Sequence, residues 1–176
     1  MSAETSQGLA VWIVGSERDI EKIEPGIGIH ESWGIPVEVR VGSAHKTPEH
    51  VLEIVREYNP RTEPTVFIAA VGGSPALGGQ VDFATRFPII SLVLEKEHTA
   101  EMLLAAAVCP SGAGPAVAIK PETAAILSAK MLAMSNPDLG EIVDQYQQRL
   151  RNEVIMADAK VRHNFSPAQR ALKEHG

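Results

Sequence analysis

The sequence predicts an α/β domain built on a parallel sheet, and three observations predict it. Apolar runs of strand length recur along the 176 residues, and several are apolar throughout, as strands covered on both faces are. Segments with apolar residues at helical spacing separate them. The connections between the two kinds of segment are short, which is the pattern of repeated strand–helix–strand units.

Taken in order, Leu9-Ala10-Val11-Trp12-Ile13-Val14 is a buried strand that ends at Gly15-Ser16. The segment Ile20 to Trp33 is helical but interrupted by Pro25, Gly26 and Gly28. Proline removes a backbone donor and clashes with the preceding turn, so a break or kink is expected near Pro25. Val37, Val39 and Val41 alternate as a second strand. Thr47 and Pro48 then start a helix, with a capping hydroxyl followed by proline at the first helical position, and Val51, Leu52 and Val55 continue it. Thr65 to Val71 is a third strand that runs into a glycine loop, Gly72-Gly73-Ser74-Pro75-Ala76-Leu77-Gly78-Gly79. Pro88 to Val93 is a fourth strand, His98 to Val108 a helix, Ala116 to Ile119 a short fifth strand, and Pro121 to Met134 a helix. From Pro137 the pattern changes: Leu139, Ile142, Val143, Tyr146, Leu150, Val154 and Ala157 form one stripe amid charges. That predicts a long amphipathic helix over about 137–163, outside the sheet and suited to a subunit contact. The tail after Asn164 lacks the stripe and is expected to be mobile. The chain reads as one domain, 1–176, with its core over about 9–135.

Composition excludes several functions. A formal net charge of −6 and a pI near 5.5 argue against a surface for nucleic acid or for anionic membrane, which needs clustered Lys and Arg. Any anionic ligand is therefore held locally. Cys109 is the single cysteine, so no intrachain disulfide forms and a reducing cytoplasm is the expected setting. No apolar stretch is long enough to span a membrane, and Met1 to Gln7 does not read as an export signal.

In a parallel sheet, the strand ends that lead into helices lie on one edge, where open α/β sheets bind ligands. Three strand exits carry polar or glycine-rich residues: Gly15-Ser16-Glu17-Arg18-Asp19, Gly42-Ser43-Ala44-His45-Lys46 and Gly72-Gly73-Ser74. Each alone is ordinary turn chemistry. Together they predict a composite site for a phosphorylated small molecule. Backbone N–H groups, two hydroxyls and Lys46 hold the phosphate, Asp19 accepts from sugar hydroxyls, and the glycines admit a flat ligand to the main chain. Gly26-Ile27-Gly28 is not a dinucleotide fingerprint, because it follows no strand and lacks the third glycine. No His, Cys or Glu spacing suits a metal. Cys109 reads as a small buried hydrophobe, and His30, His98 and His163 read as surface residues.

These motifs have a family resemblance. Gly15-Ser16-x-x-Asp19, Gly34-Ile35-Pro36, Ser43-Ala44-His45-Lys46-Thr47-Pro48, Gly72-Gly73 and Pro110-Ser111-Gly112, in this order and spacing from about residue 10 to 160, resemble the phosphoribosylaminoimidazole carboxylase (PurE-type) family. The resemblance implies a three-layer α/β/α domain, flavodoxin- or Rossmann-like. It implies a homo-octamer or a smaller oligomer such as a tetramer, with sites at subunit junctions and no cofactor. It also implies purine biosynthesis, with a ribonucleotide and carbon dioxide as the small-molecule partners. The family contains a mutase, which moves a carboxylate from N5 to C4, and an enzyme that carboxylates 5-aminoimidazole ribonucleotide directly. Ser-Ala-His-Lys, rather than Ser-Ala-His-Arg, resembles the direct carboxylase, as do Pro110-Ser111-Gly112 and Pro121-Glu122. Ala76 stands where the mutase carries a histidine. Gly73, Ser74 and Pro75 stand where the carboxylase has arginine, serine and asparagine, Val108 replaces an arginine, and Arg18 replaces a serine. By resemblance, His45 is the general acid/base, Ser16, Ser43 and Lys46 bind phosphate, Asp19 binds ribose, and Gly72, Gly73 and Ser74 face the ring and carbon dioxide. An imidazole titrating near ~6.5 both accepts and returns a proton at neutral pH. The lost polar residues also keep open a ribonucleotide-binding module without catalysis.

Overall fold

The computed structural model describes residues 8–94 and 100–165. Five strands, β1 (Leu9–Val14), β2 (Val37–Val41), β3 (Thr65–Val71), β4 (Ile89–Val93) and β5 (Ala116–Ala118), pair parallel in the order β2-β1-β3-β4-β5. This is the flavodoxin-like order, whose direction of winding reverses between β1 and β3. The intervening helices are α1 (Ile20–Ser32), α2 (Pro48–Tyr58), α3 (Ala76–Asp82), α4 (Ala100–Ala107) and α5 (Pro121–Ala133), followed by α6 (Pro137–Asn164). The chain divides into two compact units, one ending at Gly140 and the other beginning at Glu141. Within the described residues, the second unit is the continuation of α6.

Strands β1, β3 and β4 are buried along their whole length, as their apolar runs require. One face of the sheet (Leu9, Val11, Ile13, Phe67, Ala69) packs with Val51, Ile54, Val55 and Tyr58 of α2 and Leu77 and Val81 of α3. On the other face, α1 and α5 pack together beneath Trp12. There Gly26 makes the approach possible: a Cβ at that position would lie 2.5 Å from Trp12 Cη2 and 2.7 Å from the Pro121 carbonyl oxygen.

Four expectations are corrected. Helix α1 runs through Pro25 without a break. Pro25 and Glu21 are both exposed, so the carbonyl that loses its partner faces water, which satisfies it. The segment read as a glycine loop up to Gly79 folds into α3 from Ala76 onward. Gly78 serves packing, since a Cβ there would sit 1.7 Å from Ser91 Oγ of β4, whereas a Cβ on Gly79 would meet open space. His30 is not on the surface. It is 0% exposed, with Trp12 Nε1–H donating to Nδ1 at 3.2 Å and Nε2 lying 2.7 Å from Ser128 Oγ and 3.1 Å from the Ala125 oxygen. Because Nδ1 accepts, the proton resides on Nε2, and burial pushes this imidazole down to about 4. Finally, Cys109 is only partly buried. His163 is exposed, while His98 and the tail from residue 166 lie outside the described residues.

The edge strand β2 departs from a simple alternation. Val37, Val39 and Val41 pair with Ala10, Trp12 and Val14 and so share one face, but Val39 and Val41 are 36% and 43% exposed. The opposite face of β2 holds the ordered polar contacts. Arg40 grips Glu57 of α2 through two hydrogen bonds, at 2.5 and 3.0 Å, and donates to the Tyr58 hydroxyl, which donates to Glu38.

Candidate active site

The register of the sheet brings three strand exits level. Gly15 N–H donates to the Ala70 oxygen, and Gly42 N–H donates to the Val14 oxygen, so the chain leaves β1, β2 and β3 side by side at the reversal point. Between them opens a cavity of about 380 Å³ lined by Gly15, Ser16, Asp19, Ser43, Ala44, His45, Lys46, Val71, Gly72, Gly73, Ser74 and Leu77. The volume lies in the range of small-ligand sites. Ser16, Asp19, Ser43, His45, Lys46, Gly72, Gly73 and Ser74, the residues expected from the sequence, all stand in this one wall. Ala44, Val71 and Leu77 give it apolar surface.

Each exit is shaped locally. Ser16 caps a short turn of 3-10 helix (Glu17–Asp19), its Oγ accepting from Arg18 N–H at 3.4 Å. Asp19 is buried, with one carboxylate oxygen held by Lys22 Nζ at 2.7 Å. Arg18, which stands where the resembled family has a serine, is exposed and outside the cavity wall. The turn from Ser43 to Thr47 is closed on itself. Ser43 N–H donates to Thr47 Oγ1 at 3.0 Å, Thr47 N–H donates to the Ser43 oxygen at 2.9 Å, and Lys46 N–H donates to Ser43 Oγ at 3.3 Å. The Thr47 hydroxyl therefore does not cap α2, contrary to the sequence reading. It turns back to fix the loop, while Pro48 does occupy the first turn of α2.

No hydrogen bond or ion pair holds the exposed His45 ring among the described residues, so the ring is aimed by this turn alone. A strut joins the second and third exits: Gln80 Nε2 on α3 donates to the Pro48 oxygen at 3.1 Å.

The Gly72–Ser74 exit borders a second cavity, of about 430 Å³, that shares Ser74 and is walled by Pro75, Ala76, Phe83, Val108, Cys109 and Pro110 among others. Pro75, Ala76 and Val108 thus give this side an apolar lining. Among the described residues no three His, Cys, Asp or Glu side chains gather to hold a metal, and no helix is long and apolar enough to cross a membrane.

The arrangement can be compared with known proteins. Residues 9–153 match the family model for AIR carboxylase. The chain belongs to the AIR carboxylase family. A phosphoribosylaminoimidazole carboxylase of Archaeoglobus fulgidus is 36% identical over 87% of this chain and 84% of its own length. An N5-carboxyaminoimidazole ribonucleotide mutase of Methanocaldococcus jannaschii is 35% identical over 87% of this chain and 97% of its own length. The crystal structure of Treponema denticola PurE superposes with a TM-score of 0.83 at 28% identity, covering 88% of this chain and 98% of that one. The chain is thus a PurE-family enzyme of purine biosynthesis with the flavodoxin-like fold of its relatives. Within the AIR carboxylase family both activities are represented among proteins of similar identity.

Sequence reasoning did not find Gln80, because a glutamine read as part of a glycine loop carries no sign of its partner. The Thr47 hydroxyl, expected at the start of α2, instead accepts from Ser43 N–H. The signal that separates the two roles is Ser43 four residues earlier, whose N–H the same hydroxyl satisfies.

Proposed function

We propose that this enzyme carboxylates 5-aminoimidazole ribonucleotide at C4 with carbon dioxide, reversibly and without a cofactor, as a homo-oligomer (an octamer or a tetramer) in the cytoplasm. The observation that carries the reading is the gathering of Ser16, Asp19, Ser43, Lys46 and His45 from two strand exits, with Gly72, Gly73 and Ser74 from a third, around one cavity. In this reading the hydroxyls of Ser16 and Ser43, neighbouring backbone N–H groups and the Lys46 ammonium bind the phosphate. Asp19 accepts from the ribose hydroxyls. The peptide groups of Gly72, Gly73 and Ser74 lie along the imidazole ring and carbon dioxide.

The aminoimidazole is an enamine, so C4 is nucleophilic and the main task is to hold carbon dioxide over it. C4 attacks the carbon, one C=O bond opens to give the carboxylate, and the C4 proton then passes to His45 as the ring regains aromaticity. Decarboxylation runs the same steps backwards, with His45 returning the proton to C4. Lys46 in the Ser-Ala-His-Lys block and the absence of a histidine at Ala76 favour direct carboxylation. The Methanocaldococcus relative, named as a mutase, favours the second reading, transfer of the carboxylate from N5 to C4.

Assays with aminoimidazole ribonucleotide plus bicarbonate, and separately with the N5-carboxylated ribonucleotide, distinguish the readings by which substrate is consumed. His45→Asn is expected to fold and bind nucleotide while losing ~10²–10⁴-fold in turnover, the usual worth of a positioned acid/base. Near-normal turnover in that variant refutes the assignment of His45. Calorimetric binding with no turnover on either substrate by the unaltered protein indicates a binding module.

A further inference from the structure

Packing does not explain the placement of the Gln80 side chain. It stands in the walls of two cavities, the one of about 430 Å³ beyond Ser74 and another of about 460 Å³ between α2 and α3, which Leu52, Arg56 and Phe83 help to line. Space therefore lies on both sides of it. What holds it among the described residues is the hydrogen bond from Nε2 to the Pro48 oxygen at 3.1 Å. A peptide carbonyl only accepts, so the amide must present its nitrogen there. That orientation leaves Oε1 buried and without a hydrogen-bond partner. A buried, unpaired acceptor typically costs at least as much as an ordinary hydrogen bond returns, so the residue adds nothing net to the stability of the fold.

The two ends of the bond show what it accomplishes. Pro48 is the first residue of α2 and follows Thr47, whose N–H and hydroxyl close the turn that carries His45 and Lys46. Gln80 lies in the second turn of α3, the helix that starts just after Gly72-Gly73-Ser74-Pro75. The apolar contacts between α2 and α3, made by Val51 and Ile54 with Leu77 and Val81, are non-directional and do not by themselves fix how one helix slides on the other. Two directional pins do. Asn59 Nδ2 donates to the Ala84 oxygen at 2.8 Å at the end of the pair away from the site, and Gln80 supplies the pin at the end beside it. We propose that Gln80 is a positioning residue, whose bond to the Pro48 oxygen fixes the His45 turn relative to the Gly72–Ser74 exit and leaves its own oxygen unsatisfied in doing so. This rests on the reading of His45 as the acid/base and extends it to a side chain outside the catalytic cavity.

Gln80→Met keeps the length of the side chain and removes both the donor and the orphaned oxygen. Its urea midpoint is expected to equal or exceed that of the unaltered protein. Its kcat should nevertheless fall about tenfold or more, since a misplacement of about 1 Å costs on the order of 10²-fold. KM for the ribonucleotide should stay within about twofold, because Ser16, Ser43 and Lys46 remain on their turns and ground-state binding is kept. Hydrogen–deuterium exchange of the substrate-free protein, read by mass spectrometry over residues 43–51, should quicken about threefold or more as the turn loosens. Arg56→Ala, in the wall of the same cavity, should leave kcat and exchange unchanged. An unchanged kcat in Gln80→Met overturns the proposal. So does a fall in its urea midpoint proportionate to the lost turnover, or a matching loss of turnover in Arg56→Ala. If the unaltered protein consumes neither aminoimidazole ribonucleotide with bicarbonate nor the N5-carboxylated ribonucleotide, the reading of His45 fails. Exchange over residues 43–51 then decides alone: quicker exchange in Gln80→Met upholds the pin, and unchanged exchange overturns it.

Discussion

Acidification should expose the buried imidazole of His30 as a stability switch. In the folded chain Nδ1 accepts from Trp12, Nε2 faces Ser128 and Ala125, and the group titrates at about 4. An unfolded chain titrates near ~6.5. The folded value is the lower one, so the unfolded state binds the proton more readily. The contribution is fully present above the unfolded value and is lost as pH falls through the window between the two. Two and a half units correspond to about 3.4 kcal/mol in all, of which about 2 kcal/mol is gone at pH 5 and about 3 kcal/mol at pH 4. The physical cause is specific: a proton added at Nδ1 points at the indole N–H it now accepts from, in a buried layer between α1 and α5. Urea denaturation at steps from pH 7.5 to 4.5 measures the loss, and His30→Gln provides the reference. Glutamine can accept from Trp12 and donate to Ser128 without titrating, so its variant starts less stable and declines less steeply. The difference between the two curves should shrink by about 2 kcal/mol by pH 5. Parallel curves for the two proteins refute the reasoning.

Two further outcomes follow from packing and loop geometry. Gly78→Ala drives a methyl group against Ser91 Oγ and is expected to destabilise by about 1–3 kcal/mol, measured by the urea midpoint. Because Ser91 Oγ is buried with no hydrogen-bond partner, adding Ser91→Ala should recover part of that loss, and a purely additive double variant contradicts the contact. Thr47→Val removes the hydroxyl that closes the Ser43–Thr47 turn but leaves Ser43 N–H near water, so stability should change by less than about 1 kcal/mol. Steady-state assays should nevertheless show a tenfold or greater fall in kcat, with recovery in Thr47→Ser. A fall in melting temperature proportionate to the loss of activity indicates a structural role only.

The parts of this protein legible in the sequence are those in which one residue's neighbours in the chain decide its surroundings. Strands β1, β3 and β4 were readable because a strand covered on both faces must be apolar at every position, which no other soluble element of that length demands. The convergence of the three exits on one cavity was readable because parallel strands place their exits on one edge whatever lies between them. The failures share one cause, a partner distant in the chain. His30 sits beside Glu31 and Ser32 and looks solvated, yet Gly26 lets α1 approach Trp12 and α5 closely enough to enclose it. Gly78 and Gly79 read as a loop because their low helix propensity is visible, while the β4 serine that requires the absence of a side chain lies 13 positions further on. Val39 and Val41 alternate correctly, but alternation does not say that β2 lies at an edge.

The level exits of β1, β2 and β3 have an evolutionary consequence. Their common height is fixed by main-chain ladders that any apolar sequence in those strands can form, so the frame tolerates replacement of the segments it suspends. A third exit lined by glycine, proline and alanine can accumulate such changes while the first two retain the residues proposed to bind the phosphate. Divergence among descendants of this scaffold should therefore concentrate beyond β3, where new chemistry can be tried without re-registering the sheet.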